Sequence, residues 1–283
     1  MAKLRKISLL LALICVLSVL AASKSLKDDI NITLKETRII DFSMDGLSYV
    51  FYVNIANSSS SAYYLSGYDY RFLVNQKEYF NLQRSLDKRI MIDPRKSKLL
   101  SFPIKITFAH LFRLVEGIEG EENLEGNLTG TMSFSDAKKD RGSLLFDFSG
   151  EFPAVKRLEV KFLLLQLEDL TIGGADTRFE ASVVNPNIFD VLIERISYKL
   201  YLRDSLISEE TVSGGKTIVS HGEQNFSFPM LINFFEVGKE MYTMLQMTSS
   251  LCRFTGEIEV QTKWGRVKIP FDKTGRVAIA RTS

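Results

Sequence analysis

The side chains best suited to catalysis or metal binding are few and scattered. The chain has two histidines, His110 and His221, and neither lies in the spacing of a metal site or of a Ser-His-Asp relay. The glycine pairs at 173–174 and 214–215 lack the spacing and helix context of a phosphate-binding loop, and we interpret both as turns. We therefore predict no catalytic residue, no metal ligand, no cofactor and no enzymatic activity.

One acidic segment could attract Ca²⁺ weakly. Hard-cation sites, however, usually alternate their oxygen ligands with definite turn residues, and this segment has no such pattern. A solvated loop is the favoured interpretation. The carboxylates concerned are Glu116, Glu119, Glu121, Glu122 and Glu125.

The triplet Asn185-Pro186-Asn187 ends a segment that otherwise has the pattern of a strand. Pro186 fixes its own φ near about −65° and pushes Asn185 into an extended conformation. Asn187 tolerates the bridge or left-handed conformation of a late turn position. The Asn185 side chain can also bond backbone groups that lack a ladder partner. We favour a structural turn over a loop that contacts a ligand.

The amino terminus is typical of an export signal. Lys3, Arg5 and Lys6 precede the apolar run Ile7–Ala22, which is shorter than the roughly 20 residues needed to cross a bilayer as a helix. Residues 1–23 are therefore expected to be a removed signal peptide, or an anchor if they are retained. In either case we expect the body outside the cytoplasm, periplasmic, tethered at the cell envelope or secreted.

Charge and cysteine content exclude further classes. Without residues 1–23 the chain has 33 basic and 34 acidic residues and no basic run, so it lacks the electrostatic footprint of a nucleic-acid-binding protein. The two cysteines are Cys15 and Cys252. Ile14 makes Cys15 a poor lipoprotein site, and a processed chain would carry one thiol and no internal disulfide.

The chain aligns with itself when it is shifted by 128 residues, and then by 126 and 125. Order is preserved over some 110 residues, which chance matches would not achieve, so we predict a duplicated domain. The copies are assigned to residues 28–152 and 153–283, with Pro153 at the seam. Matched pairs at the first shift include Asp41 with Asp169, Gly46 with Gly174, Phe51 with Phe179, and Asn57 with Asn185.

Within each copy the hydrophobic period is two, which indicates strands with one buried face. One helical pattern interrupts the strands in each copy. In the second copy, Asn233 and Glu236 are placed to form a capping box. The expected apolar helix faces are Phe108, Leu111, Phe112 and Val115 after Thr107, and Phe234, Val237, Met241 and Met244 after Asn233. We assign these faces to the core.

The second copy contains, in order, the Asn-Pro-Asn triplet, the strand "RISYKLYL", the segments "SGGKT" and "SFPM", and the helix that follows. In these features it resembles the type 2 late-embryogenesis-abundant domain, also called the water-stress and hypersensitive-response (WHy) domain. The first copy is similar more loosely and departs at the triplet, with Asn57-Ser58-Ser59. The resemblance implies a mainly β protein of two tandem immunoglobulin- or fibronectin-III-like β-sandwich domains, each with one helix, and no catalytic residues.

The function expected from this resemblance is non-enzymatic and linked to desiccation or water stress. An exported protein of this kind would bind stressed client proteins or envelope components weakly, and would contact a membrane only through an uncleaved amino-terminal segment. The alternative is a structural or interaction module of the cell envelope, because duplicated sandwiches commonly present edges and loops to partners. An enzyme of unrecognised type ranks third.

Export gives the first testable prediction. Mass spectrometry of the native protein should find an amino terminus near residues 22–24, or an intact chain in the membrane fraction, because the basic and apolar segments form an export signal. A soluble cytosolic protein that retains Met1 would refute this prediction.

Overall fold

The structure is a computed structural model that describes residues 25–115 and 117–281. The predicted signal segment and Cys15 lie outside the described residues, as do Glu116 and the side chain of Glu119. Of the helices that are described, none has the length and apolar composition to cross a membrane.

The first half of the described chain forms two antiparallel sheets. One sheet has the order β1-β2-β5 and the other β4-β3-β6-β7. The strands are β1 (Ile30–Phe42), β2 (Gly46–Asn57), β3 (Tyr63–Val74), β4 (Lys77–Ile92), β5 (Ser97–Thr107), β6 (Asn123–Ser135) and β7 (Asp140–Pro153). The helical elements are α1 (Leu26–Asp29), α2 (Phe108–Leu114) and a 3₁₀ turn (Ile118–Gly120).

The second half has the same strand pairings, β8-β9-β12 and β11-β10-β13-β14, joined into one seven-stranded sheet. The join is a short parallel pairing of β14 with β8 around Ile279 and Leu165. The strands are β8 (Glu159–Leu170), β9 (Gly174–Val184), β10 (Val191–Leu202), β11 (Ser205–Ile218), β12 (Glu223–Asn233), β13 (Ser249–Thr262) and β14 (Gly265–Arg281). The helices are α3 (Phe234–Val237) and α4 (Glu240–Leu245).

This second sheet curls until its two edge strands meet. Lys216 of β11 donates a hydrogen bond from Nζ to the carbonyl of Asn225 on β12 at 2.8 Å, so the sheet is a nearly closed barrel. The predicted mainly β class is therefore confirmed. The finer assignment to immunoglobulin- or fibronectin-like sandwiches stays a prediction.

The period-two pattern of the sequence appears as alternating burial, with phase changes at bulges. On β10, Val191 and Ile193 are buried, and so are Ile196 and Tyr198. The register of β10 against β13 shifts between Ile193 and Arg195. A bulge adds one residue there, so the buried side chains lie at odd-numbered positions before it and at even-numbered positions after it. The glycine pair at 214–215 lies in β11 opposite this bulge and is not a turn between elements, so that interpretation was wrong.

The buried hydrophobic side chains form two clusters, one in each half. Phe42, at the end of β1, contacts both clusters. Its ring centroid lies 6.3 Å from that of Phe189 and 5.7 Å from that of Trp264. A polar contact adds to this junction, with His221 Nε2 at 3.3 Å from a Glu122 carboxylate oxygen.

The single helix predicted for the second half is broken in two. Gly238 separates α3 from α4 at φ 92°, a conformation that glycine adopts without strain. Asn233 accepts a hydrogen bond from the Phe235 N–H at 3.0 Å. Its Nδ2, not its backbone N–H, donates to Glu236 at 2.9 Å, so the box forms through side chains. Met241 and Met244 are buried, as expected.

The helix of the first half departs further from prediction. Thr107 makes no side-chain cap, and its N–H donates to the Tyr79 hydroxyl at 2.8 Å. Leu111 is buried, whereas Phe112, expected on the same apolar face, is 42% exposed. Val115 lies one residue past the end of α2, although its side chain is buried.

The separate cluster in the second half predicts independent folding of residues 153–283. Cys252 is fully buried there, and burial raises the pKa of its thiol to about 12. The folded fragment should therefore melt cooperatively and resist a thiol reagent at pH 8, because only the thiolate reacts. In denaturant the same fragment should react with one equivalent of the thiol reagent, at Cys252. Rapid labelling without denaturant and a flat near-UV circular dichroism spectrum would show that the halves need each other.

Candidate functional site

Asn185 is the centre of a buried turn between β9 and β10. Its side chain is fully buried. Its Nδ2 donates to the carbonyls of Phe189, Ile218 and Val219 at 2.7, 3.3 and 3.2 Å. Its Oδ1 accepts from the backbone N–H and from Nδ2 of Asn187 at 3.1 and 3.0 Å. This one amide therefore ties its own turn to the loop between β11 and β12.

Asn57 forms the corresponding turn between β2 and β3. It is 2% exposed, and its Nδ2 donates to the carbonyls of Ser61, Ile92 and Asp93 at 2.7, 3.1 and 3.1 Å. Its Oδ1 accepts from the N–H and hydroxyl of Ser59 at 3.0 and 2.7 Å. Each partner occupies the position expected from the 128- and 126-residue shifts. The two asparagines named from the sequence therefore make the same set of contacts.

The loop that faces each turn contains one left-handed residue. His221 has φ 55° and donates its N–H to the Asn187 carbonyl at 3.1 Å. Arg95 has φ 56° and donates to the Ser59 carbonyl at 3.2 Å. Asn187 itself does not have positive φ. The left-handed residue of this site thus belongs to the facing loop, and of the two conformations allowed for Asn187 from the sequence, the left-handed one is not adopted.

Pro186 changes how the turn is attached to the preceding segment. In the first half, Ser58 donates its N–H to the Asp29 carbonyl at 2.8 Å and its hydroxyl to the Asp28 carbonyl at 3.0 Å. Pro186 occupies the equivalent position and has no N–H to donate. Asn187 makes the attachment instead. Its Oδ1 accepts from Lys156 N–H at 2.7 Å, and its Nδ2 donates to the Lys156 carbonyl at 2.9 Å.

Each turn therefore fixes the segment that leads into the first strand of its own half. In the second half that segment is the connector between the halves. Sequence reasoning missed this role because the partner of Asn187 lies 31 residues earlier. The 128-residue shift, which places Lys156 over Asp28, is the signal that could have indicated it.

The other sequence candidates form no catalytic or metal-binding cluster among the described residues. His110 packs against the Tyr79 ring with centroids 4.4 Å apart, and His221 lies beside Glu122. Glu121, Glu122 and Glu125 are exposed. Among the residues that the structure describes, no group of three or more His, Cys, Asp or Glu side chains is placed to hold a metal ion. Within the part of the chain that the structure describes, the hydrogen-bonded site formed by predicted residues is the turn in which Asn185 contacts Asn187.

One family model matches part of the second half. Residues 180–275, which include the Asn185 turn, match the model of a family described as late embryogenesis abundant protein. No curated protein matches the chain. One similar solved structure is titled "Crystal structure of protein from Archaeoglobus fulgidus", with 14% identity, 43% of this chain and 97% of that chain covered, and a TM-score of 0.33. That score is too low to support a conclusion about fold.

The geometry predicts that Asn185→Ala destabilises the protein. The substitution removes the Nδ2 group that donates to three carbonyl oxygens in the interior of the protein. Losing these hydrogen bonds should lower the free energy of unfolding by roughly 1–3 kcal/mol. Urea unfolding followed by circular dichroism would measure the loss. Asn187→Ala, which mainly releases the connector, should cost less.

Asn185→Asp is the matched control. It preserves shape and the acceptor Oδ1 but removes the donor, so it should be at least as damaging as alanine if the three carbonyl contacts matter most. A stable Asn185→Ala protein that has lost binding to a partner would assign the turn to recognition instead.

Proposed function

We propose that this protein, whose residues 180–275 match the late-embryogenesis-abundant family, acts without catalysis as an exported protector of other proteins during water loss. The family match carries the proposal, because the type 2 members of that family are linked to water stress and not to a reaction. Export rests on the basic and apolar amino terminus. Clients are bound weakly, through surface contacts.

The finer architecture belongs to the same proposal. We assign one water-stress and hypersensitive-response domain to residues 28–152 and a second to residues 153–283, each an immunoglobulin- or fibronectin-III-like β-sandwich. Two observations support this assignment: the strands pair in the same order in both halves, and Asn57 and Asn185 make matching contacts.

An exposed apolar surface at one end of the second half suits a client-binding role. Ile172, Leu231 and Phe235 are 94%, 72% and 87% exposed, and we call them the apolar tip. Gly173 lies between them: a Cβ placed on it would be 3.5 Å from the Phe235 ring, and it lines a shallow pocket together with Leu231. Clustered exposed apolar side chains of this kind commonly mark interaction sites.

The alternative is a structural or interaction module with one specific envelope partner. The surroundings of the apolar tip support this alternative. Three acidic residues, Asp169, Asp176 and Glu236, lie on the segments next to it. An apolar centre with an acidic rim would select a partner with a basic rim. The two functions differ in stoichiometry, since a protector acts in proportion to its mass and a module saturates with one partner.

The test is protection of a labile enzyme through drying or freeze–thaw. The processed protein should preserve activity in a dose-dependent way, without nucleotide or added metal, and EDTA should leave the effect unchanged. The variant Ile172→Ser/Leu231→Ser/Phe235→Ser should protect less, because it removes the apolar tip while core packing is retained.

The matched control removes three exposed apolar side chains from separate strands of the first half, as Ile40→Ser/Leu99→Ser/Leu145→Ser. This control should protect as well as the unmodified protein. Protection no better than that from an equal mass of an inert globular protein would reject the proposal. Saturable binding of one envelope protein, lost with the apolar tip, would then support the interaction module.

A further inference from the structure

A groove runs along the junction of the two halves. It has a volume of about 510 Å³, within the range of small-molecule sites. Four segments line it: the β1–β2 connection, α2, the connector between the halves, and β14. Since both halves contribute to its walls, we call it the junction groove.

The walls of the junction groove are mainly apolar. Phe42 and Met44 come from the first connection, Phe108 and Phe112 from α2, and Ile269 from β14. Phe112 remains 42% exposed, although sequence periodicity assigns it to a buried helix face. An aromatic side chain left open beside other apolar groups offers a surface that a ligand's alkyl chain can cover.

The charged part of the lining is asymmetric. Lys156 and Arg157 lie together on the connector, and Asp45 is the one acidic residue of the lining. Among the described residues, none of these three side chains forms an ion pair. The backbone of Lys156 is fixed by its two hydrogen bonds with Asn187. The groove therefore presents two adjacent cations held beside an apolar wall.

We propose that the junction groove binds a single-chain amphiphile with an anionic headgroup. The alkyl chain lies against Phe42, Phe108 and Phe112, and the headgroup pairs with Lys156 and Arg157. Arg157 suits this role because a guanidinium binds carboxylate or phosphate oxygens in bidentate fashion. This binding is independent of the protective role and takes place in solution without drying.

The only tryptophan of the chain offers a direct readout. Trp264 packs on Phe42, with ring centroids 5.7 Å apart, so a heavy atom on an alkyl chain in the groove should quench its fluorescence. Titration with bromododecanoate below its micelle concentration should give saturable quenching. Dodecanoate and dodecyl phosphate should both displace bromododecanoate and restore the fluorescence, because Lys156 and Arg157 pair with either anionic headgroup. Dodecyltrimethylammonium should not compete.

Two variants locate the site. Ala109 is exposed on α2 and lines the groove, so Ala109→Phe should occupy the groove without disturbing a core and weaken binding at least about tenfold. Lys156→Gln/Arg157→Gln should weaken the binding of dodecanoate by a similar factor and leave the binding of uncharged dodecyl maltoside unchanged. Lys138→Gln/Lys139→Gln, on the exposed β6–β7 hairpin, is the charge-matched control and should bind normally.

Thermal melting of each variant shows whether it has folded. Absence of saturable quenching in the unmodified protein would overturn the proposal. Equal binding of the cationic and anionic amphiphiles would overturn the assignment of the headgroup to Lys156 and Arg157. Quenching that persists in folded Ala109→Phe would place the ligand elsewhere, for example in the second cavity beside Trp264, and would reject the junction groove.

Discussion

The hydrogen bonds of one buried side-chain amide in each half are the constraint on which the fold depends. Asn57 lies where the chain passes from one sheet to the other, between β2 and β3, and Asn185 lies where it passes between the two corresponding groups of strands in the single second sheet, from β9 to β10. At such a crossing the backbone loses its ladder partners, and buried carbonyls without donors are costly. The asparagine donates to carbonyls of both its own turn and the facing loop. It therefore joins two places where the chain passes from one group of strands to the other.

Local patterns in the sequence anticipated the strands well, because alternation of polar and apolar residues acts over neighbouring positions. Asn185 was identified because Pro186 next to it is a strong local signal. Its partners Ile218 and Val219 could not be identified, since they lie 33 and 34 residues away and contribute carbonyl groups that every residue has. A contact made by a backbone carbonyl does not depend on the residue type, so the sequence does not indicate it.

The errors have physical causes of the same kind. The helical spacing of Phe234 and Met241 is real, but Gly238 between them allows a break that periodicity alone does not show. Phe112 has the spacing of a buried residue, yet α2 lies at the edge of a groove and leaves one side uncovered. The glycine pair at 214–215 was interpreted as a turn because glycine occurs both in turns and at bulges, and the sequence does not distinguish the two. Gly214 lies so close to the Ile193 carbonyl that a Cβ would clash with it.

The buried thiol of Cys252 has a consequence for how the protein withstands oxidants. With its pKa raised to about 12, this cysteine carries almost no thiolate at neutral pH, and it is the thiolate that attacks peroxides and disulfides. While the fold is closed, burial and the raised pKa slow oxidation of Cys252 and its cross-linking to another molecule. Each opening of the second core removes that protection, and any sulfur oxidised in that interval no longer fits the apolar site. We therefore expect oxidised Cys252 mainly in molecules whose second core has opened.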